Sequence, residues 1–302
     1  MNRLQITTSF KKEMLEFEKV FFWVPGILAG IMILAPFLVF ALTESYQRSG
    51  LFEFLMQGEE RANLEGIGHF FFGAMSGLFV PFIIVALVIQ LYYFTACLFE
   101  ERRDLSISFW RSLPVSDALS IGVKLITGAL VIPAIFMLAA TAVLIFALFL
   151  VFIVCIVMSV GYDVSLWGLW GNAEIISNLG AIWLNLIPYA LWSFPLYAWL
   201  MLASMFAKKA PFLWAVLPLV VLVLVEAFIV NYFGFSSTYI ADLLVDYFTF
   251  SSDVMSSHMM ESDGPKLILL KGLSSKVSLL PMLFGCGLMY LTYWLRVNRS
   301  EV

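Results

Sequence analysis

LITGALVIPAIFMLAATAVLIFALFLVFIVCIVMSVGY, residues 125 to 162, contains no charged residue. As one helix, this stretch would run about 57 Å at 1.5 Å per residue, against a hydrocarbon core of about 30 Å. It is either one overlong crossing or a hairpin of two, and the choice decides whether the two termini share a side. A hairpin needs turn residues near its middle, yet LAATAVLIFALF (138–149) holds no Gly, Pro, Asn or Asp. Pro133 lies near the start, where it suits a kink better than a reversal. The stretch reads as one long, kinked helix that protrudes from the membrane.

Working outward, further apolar runs cover 20–42, 70–98, 179–206, 212–230 and 277–295, each near or above the roughly 20 residues a helical crossing needs. With the long run 125–160 they make six spans. The chain is 62% hydrophobic and 13% charged, with a mean hydropathy of +0.96, whereas a soluble domain carries about 25% charged residues. An integral membrane protein follows. In 302 residues such spans leave no room for a separate soluble catalytic domain, so any energy source must come from another chain. The first run lacks a small-residue cleavage pattern and reads as a retained span, not a removable signal.

Basic residues near span ends stay on the cytoplasmic side. Six spans put the N-terminus, the 2–3 and 4–5 loops and the C-terminus on one side. That side holds Arg3, Lys11, Lys12, Lys19, Arg102, Arg103, Arg111, Lys124, Lys208, Lys209, Arg296 and Arg299, twelve of the 17 basic residues. The opposite side holds Arg48, Arg61, Lys266, Lys271 and Lys276 among an excess of acids that includes Glu59, Glu60, Glu65, Asp163, Asp242 and Asp263. Both termini are therefore expected in the cytoplasm, and the acidic outer face argues against nucleic acid as a partner. A seventh crossing would place Lys208, Lys209, Arg296 and Arg299 outside, against the same bias.

Before span 1, Phe10, Met14, Phe17 and Phe21 recur at helical spacing among Lys11, Lys12, Glu13, Glu16, Glu18 and Lys19. The pattern predicts an interfacial helix with its aromatic face in the acyl boundary; the alternative is a charged lead-in continuous with span 1. Trp167 and Trp170, among Gly161, Gly168 and Gly171, read as residues of the headgroup belt. The 5–6 connection, 234–276, is the longest, and Tyr239, Leu243, Leu244, Tyr247 and Phe248 predict an amphipathic helix within it.

Catalytic signals are lacking. His69 and His258, the two histidines, stand apart from any carboxylate or cysteine set that would complete a metal site. Cys97, Cys155 and Cys286 lie inside apolar runs, where a thiol acts as a small hydrophobe. There is no G-x-x-x-x-G-K-[ST] loop to cradle nucleotide phosphates, and the expectation is no catalytic, cofactor or metal residues on this chain. One ionisable group, Glu226, falls within a span, about 21 Å along it at 1.5 Å per residue from Phe212. It is a candidate for the transport path or a gate, since intramembrane charge is costly; the alternative is a protonated or hydrogen-bonded structural residue.

The segment between spans 2 and 3, LFEERRDLSISFWRSLPVSD (98–117), is densely charged. Asp104 suits an N-cap, Pro114 a stop, and Leu105, Phe109 and Leu113 form a stripe flanked by Trp110. That describes a short helix lying across the mouth of spans 2 and 3. At Glu100 to Asp104, at Ser112 to Ser116 (SLPVS) and at Lys124, which opens span 3, the chain resembles the permease subunits of ABC-2 type ATP-binding cassette transporters. The resemblance implies an all-α polytopic membrane protein with six transmembrane helices, an N-terminal interfacial helix and a cytoplasmic coupling helix between spans 2 and 3. As one permease domain (1–302) it divides into 1–19 (interfacial helix), 20–98 (spans 1–2), 99–117 (coupling segment), 118–233 (spans 3–5), 234–276 (outer connection) and 277–302 (span 6 and tail). It further implies a cytosolic ATP-binding cassette ATPase partner that carries ATP and Mg, a second permease subunit in a homodimer or heterodimer, and usually export, here across a bacterial inner membrane among its lipids. Phe109, Trp110 and Arg111 are then the expected ATPase anchors, with Arg102 and Arg103 contributing polar contacts or inner-surface retention. The competing reading is a secondary transporter or channel that works without an ATPase.

Overall fold

The computed structural model describes residues 3–42, 67–103, 116–164, 166–167, 170, 175–234, 238–249 and 272–298, and among these there is no strand. The helices are α1 (Arg3–Glu16), α2 (Val24–Leu42, entered through a π-turn at Lys19–Trp23), α3 (Ile67–Arg103), α4 (Asp117–Ile126) and α5 (Ile132–Tyr162). They continue with α6 (Ile175–Leu184), α7 (Leu186–Phe206), α8 (Pro211–Phe233), α9 (Ile240–Phe248) and α10 (Leu279–Asn298). Among the described residues, five helical stretches are long and apolar enough to cross a membrane: Lys19–Leu42, Gly73–Arg103, Asp117–Tyr162, Ile175–Phe206 and Pro211–Phe233. The sixth apolar run forms α10, which lies along α7.

The long uncharged stretch is a single helical run. α4 and α5 join through a π-helical segment, Thr127–Val131, in which the Ile132 N–H reaches back five residues to the Thr127 carbonyl. The cause sits two residues on. Pro133 has no N–H, and its ring crowds the carbonyl four residues earlier, so the extra residue in the turn relieves the clash. Gln90 of α3 donates from Nε2 to the Gly128 carbonyl at 2.8 Å, satisfying a group that the irregular turn leaves available.

α7 is the centre of the bundle, with α3, α8 and α10 packed around it, while α2 lies against α5 at the periphery. α10 comes close because Gly285 has no side chain: a Cβ there would lie 2.7 Å from Phe194 Cε1 and 3.2 Å from Pro195 Cα. The core between α3 and α7 is aromatic, with Phe94 stacked on Tyr197 at 4.4 Å between centroids. α2 and α8 leave most of their apolar side chains exposed, from Ile27 to Phe40 and from Phe212 to Phe233, as lipid-facing helices do.

The entry helix departs from expectation. α1 forms, but Phe17 and Phe21 are buried in protein, packed on Tyr93 at 5.0 and 5.9 Å, so these two rings do not enter the acyl boundary. Glu13, Phe17 and Phe21 follow one another at intervals of four and share a face, and the packing of the two rings on Tyr93 turns that face toward the bundle. The helix expected in the 5–6 connection is present as α9, with Tyr247 and Phe248 against Trp192.

Candidate functional site

At the end of the bundle where α3 stops and α4 begins, charged side chains from four helices meet out of solvent. Glu13 of α1 is 3% exposed, Glu101 of α3 1%, Lys124 of α4 0% and Arg296 of α10 4%. Lys124 Nζ lies 2.8 Å from Glu13 Oε1 and 3.2 Å from Glu101 Oε1. Lys12 Nζ donates to the same Glu101 oxygen at 2.8 Å. The other oxygen, Oε2, accepts from Arg296 Nη1 at 3.1 Å, while Arg296 Nε and Nη2 reach Asp117 Oδ1 at 2.9 Å and Ser120 Oγ at 3.2 Å. Tyr93 Oη closes the set by donating to Glu13 Oε2 at 2.8 Å.

Local sequence places each group. Ser116 caps α4, its hydroxyl accepting from the Leu119 N–H at 3.3 Å, and Asp117 in the first turn complements the positive end of the helix dipole. Two turns later Lys124 points to the same side, between α1 and α3. Lys12, Lys124 and Arg296 balance Glu13, Glu101 and Asp117, so the cluster is neutral as a unit. Isolated buried charges cost several kcal/mol each, and only mutual pairing with satisfied hydrogen bonds offsets this. Glu16 sits at the edge, 3.8 Å from Lys12. Burial raises its pKa, opposed by the nearby Lys124 charge and reinforced by Glu13.

This cluster gathers two groups whose surroundings the sequence had already singled out, Glu101 and Lys124, and two that it had not, Glu13 and Arg296. In sequence, Glu13 belongs with the charged residues of the entry segment, and Arg296 bears only on orientation. The available signal was the spacing of Glu13 with Phe17 and Phe21.

The other candidates lie elsewhere. Arg102 donates from Nη2 to the carbonyls of Ser204 at 2.6 Å and Ala207 at 2.9 Å, a cation on the negative end of α7; it ties α3 to α7. Arg103 is exposed, its guanidinium 5.9 Å from the Phe99 ring centroid. Phe109, Trp110 and Arg111, with the whole short helix expected over 104–114, lie outside the described residues.

Glu226 accepts from the backbone N–H groups of Ile240 and Ala241 at 2.6 and 2.9 Å, and from that of Tyr239. A carboxylate held by the first amides of a helix is a cap, so here Glu226 pins α9 to α8. Glu226→Gln keeps an acceptor oxygen and is expected to insert and to retain at least part of its activity, whereas Glu226→Ala frees the start of α9. Amide exchange over 238–249 reads the difference: faster exchange in the alanine variant and near-native exchange in the glutamine variant. Loss of activity in Glu226→Gln at normal abundance and native exchange would instead make the charge itself functional.

The pieces combine into a neutral clasp with a buried centre, Glu13, Glu101, Lys124 and Arg296, and a partly exposed rim, Lys12 and Asp117, joining the entry helix, the end of α3, the start of α4 and the end of α10. Its ion pairs and hydrogen bonds tie the four helices to one another. Compared with protein families, characterised proteins and solved structures, the chain matches none.

Proposed function

We propose that this chain is the membrane-spanning permease subunit of an ABC-2 type transporter, an exporter of a bacterial inner membrane driven by ATP hydrolysis on a separate cytosolic ATPase. The reading takes α10 as a sixth span and puts both termini in the cytoplasm. What supports it is the clasp: Glu101 precedes the 104–115 segment by three residues and Asp117 follows it by two, and both carboxylates are held by Arg296. A partner that grips this segment would move both of its ends. Because Glu13, Lys124 and Arg296 tie those ends to α1 and α10, the displacement passes to four helices as one body. Mg-ATP chemistry belongs to the partner, and two permease subunits with two ATPases complete the assembly.

Purification of the tagged chain from its native membrane tests this. The expected result is a co-purifying soluble protein carrying a phosphate-binding loop, with hydrolysis in the complex. Transport by the chain alone in proteoliposomes without nucleotide would replace the proposal with an ATPase-independent transporter.

A further inference from the structure

α3, α5 and the α6–α7 junction line a half-open pocket of about 280 Å³, to which the exposed Ile83 contributes. An apolar cavity of roughly 150 Å³ is enough to bind benzene, so this one admits a chain or ring system about twice that size. Ala86, Phe136, Met137 and Ile182 contribute buried apolar walls. The polar groups at its edge are mostly engaged with one another: Tyr189 Oη donates to Gln90 Oε1 at 2.8 Å, Gln90 Nε2 to the Gly128 carbonyl at 2.8 Å, and Trp192 Nε1 to the Tyr247 carbonyl at 3.3 Å. A bound water needs two to four polar partners. The walls offer too few.

One polar group is different. Asn185, 7% exposed, stands at the break between α6 and α7 and lines the cavity. Its Nδ2 donates to the Ala181 carbonyl at 2.7 Å, while Oδ1 is buried with no hydrogen-bond partner among the described residues. An unmet buried acceptor costs about 1–3 kcal/mol, which a guest with a single donor would relieve. Ile182, Asn185 and Tyr189 fall at helical spacing on one face, so the apolar wall and the acceptor are presented together.

We propose that this cavity is a binding site for a small hydroxylated hydrocarbon, a molecule with an alkyl or aryl body and one O–H donor to Asn185. The site lies within one subunit and is independent of the transport reading. Its occupant fills the space between α3 and α5 beside the π-turn at Thr127–Val131. The Gln90 contact to Gly128 joins the cavity wall to that turn, so occupancy bears on the one irregular place in the longest helix.

Photolabelling of the purified protein in lipid nanodiscs tests the site, with a diazirine-bearing octanol as a free probe and a monoacylglycerol with a diazirine in its chain as a lipid probe. Adducts are expected at Phe136 and Met137, buried residues that line the pocket, and excess octanol should compete them away. Ala86→Leu or Ile182→Phe should remove them while labelling of exposed Phe228 and Tyr232 persists, which shows that the variant is inserted. Asn185→Leu should weaken competition by octanol about three- to tenfold, the worth of one hydrogen bond, and leave competition by octane unchanged. Labelling by the lipid probe would identify a membrane lipid as the source, and labelling by the free alcohol alone a diffusible solute; either supports the site. Adducts confined to exposed positions, or adducts at Phe136 and Met137 that octanol does not displace, would overturn it.

Discussion

Lys124→Met is expected to destabilise the protein by about 3–5 kcal/mol, the range found when one partner of a buried ion pair is removed. Methionine keeps the length and apolar stem of lysine, so packing is nearly conserved and the loss is electrostatic. Without the ammonium, Glu13 and Glu101 remain buried, with the Tyr93 hydroxyl and the Lys12 ammonium, 3.9 Å away, left on Glu13 and with Lys12 and Arg296 on Glu101. Charge balance then predicts the rescue: Lys124→Met with Glu13→Gln should recover more than half of the loss, since an amide can still meet the Tyr93 hydroxyl. Thermal or denaturant unfolding in detergent measures both. A single-variant loss below about 1 kcal/mol, typical of exposed pairs, would mean that the centre of the clasp is not the buried unit described.

Gly128→Ala carries the second large effect, and its sign is diagnostic. In an ordinary helix, replacing Gly with Ala gains about 0.8–1.0 kcal/mol. Here the new Cβ would lie 2.3 Å from Phe94 Cζ and 2.7 Å from both neighbouring ring carbons. Phe94 cannot retreat, being fully buried and stacked on Tyr197. Overpacking of this kind costs about 1–3 kcal/mol, so the substitution should destabilise. Adding Phe94→Leu should return part of the loss. A more stable Gly128→Ala protein would show that α3 and the π-turn are not in this contact.

The apolar architecture was largely legible because bilayer thickness and helical rise act locally on composition. The uncharged run 125–162 had no turn residues at its centre and is one helical run, and Pro133 marked the place beside which the helix is irregular. Tyr247 and Phe248 announced α9 by their spacing. The clasp was not legible in the same way. Residues 13, 101, 124 and 296 meet only after four helices pack, and nothing in the spacing of one charge names its partner in another helix. Glu13 shows the difficulty best: in sequence it belongs to a charged lead-in, and only the burial of Phe17 and Phe21 on Tyr93 carries it inward. Glu226 left two readings open for a related reason, since an acid in an apolar run does not name its partners, here the amides of Tyr239, Ile240 and Ala241.

In the proposed function, force from nucleotide hydrolysis enters through residues 104–115 and is carried by the clasp. The most direct test is the ratio of transport to ATP hydrolysis in proteoliposomes containing the complex with Phe109→Ala and Trp110→Ala. Aromatic and Arg anchors dominate small interfaces, so the expected result is a correctly inserted protein that has either lost the ATPase or retains hydrolysis without transport. Transport at the wild-type rate, with the ATPase still bound, would contradict it.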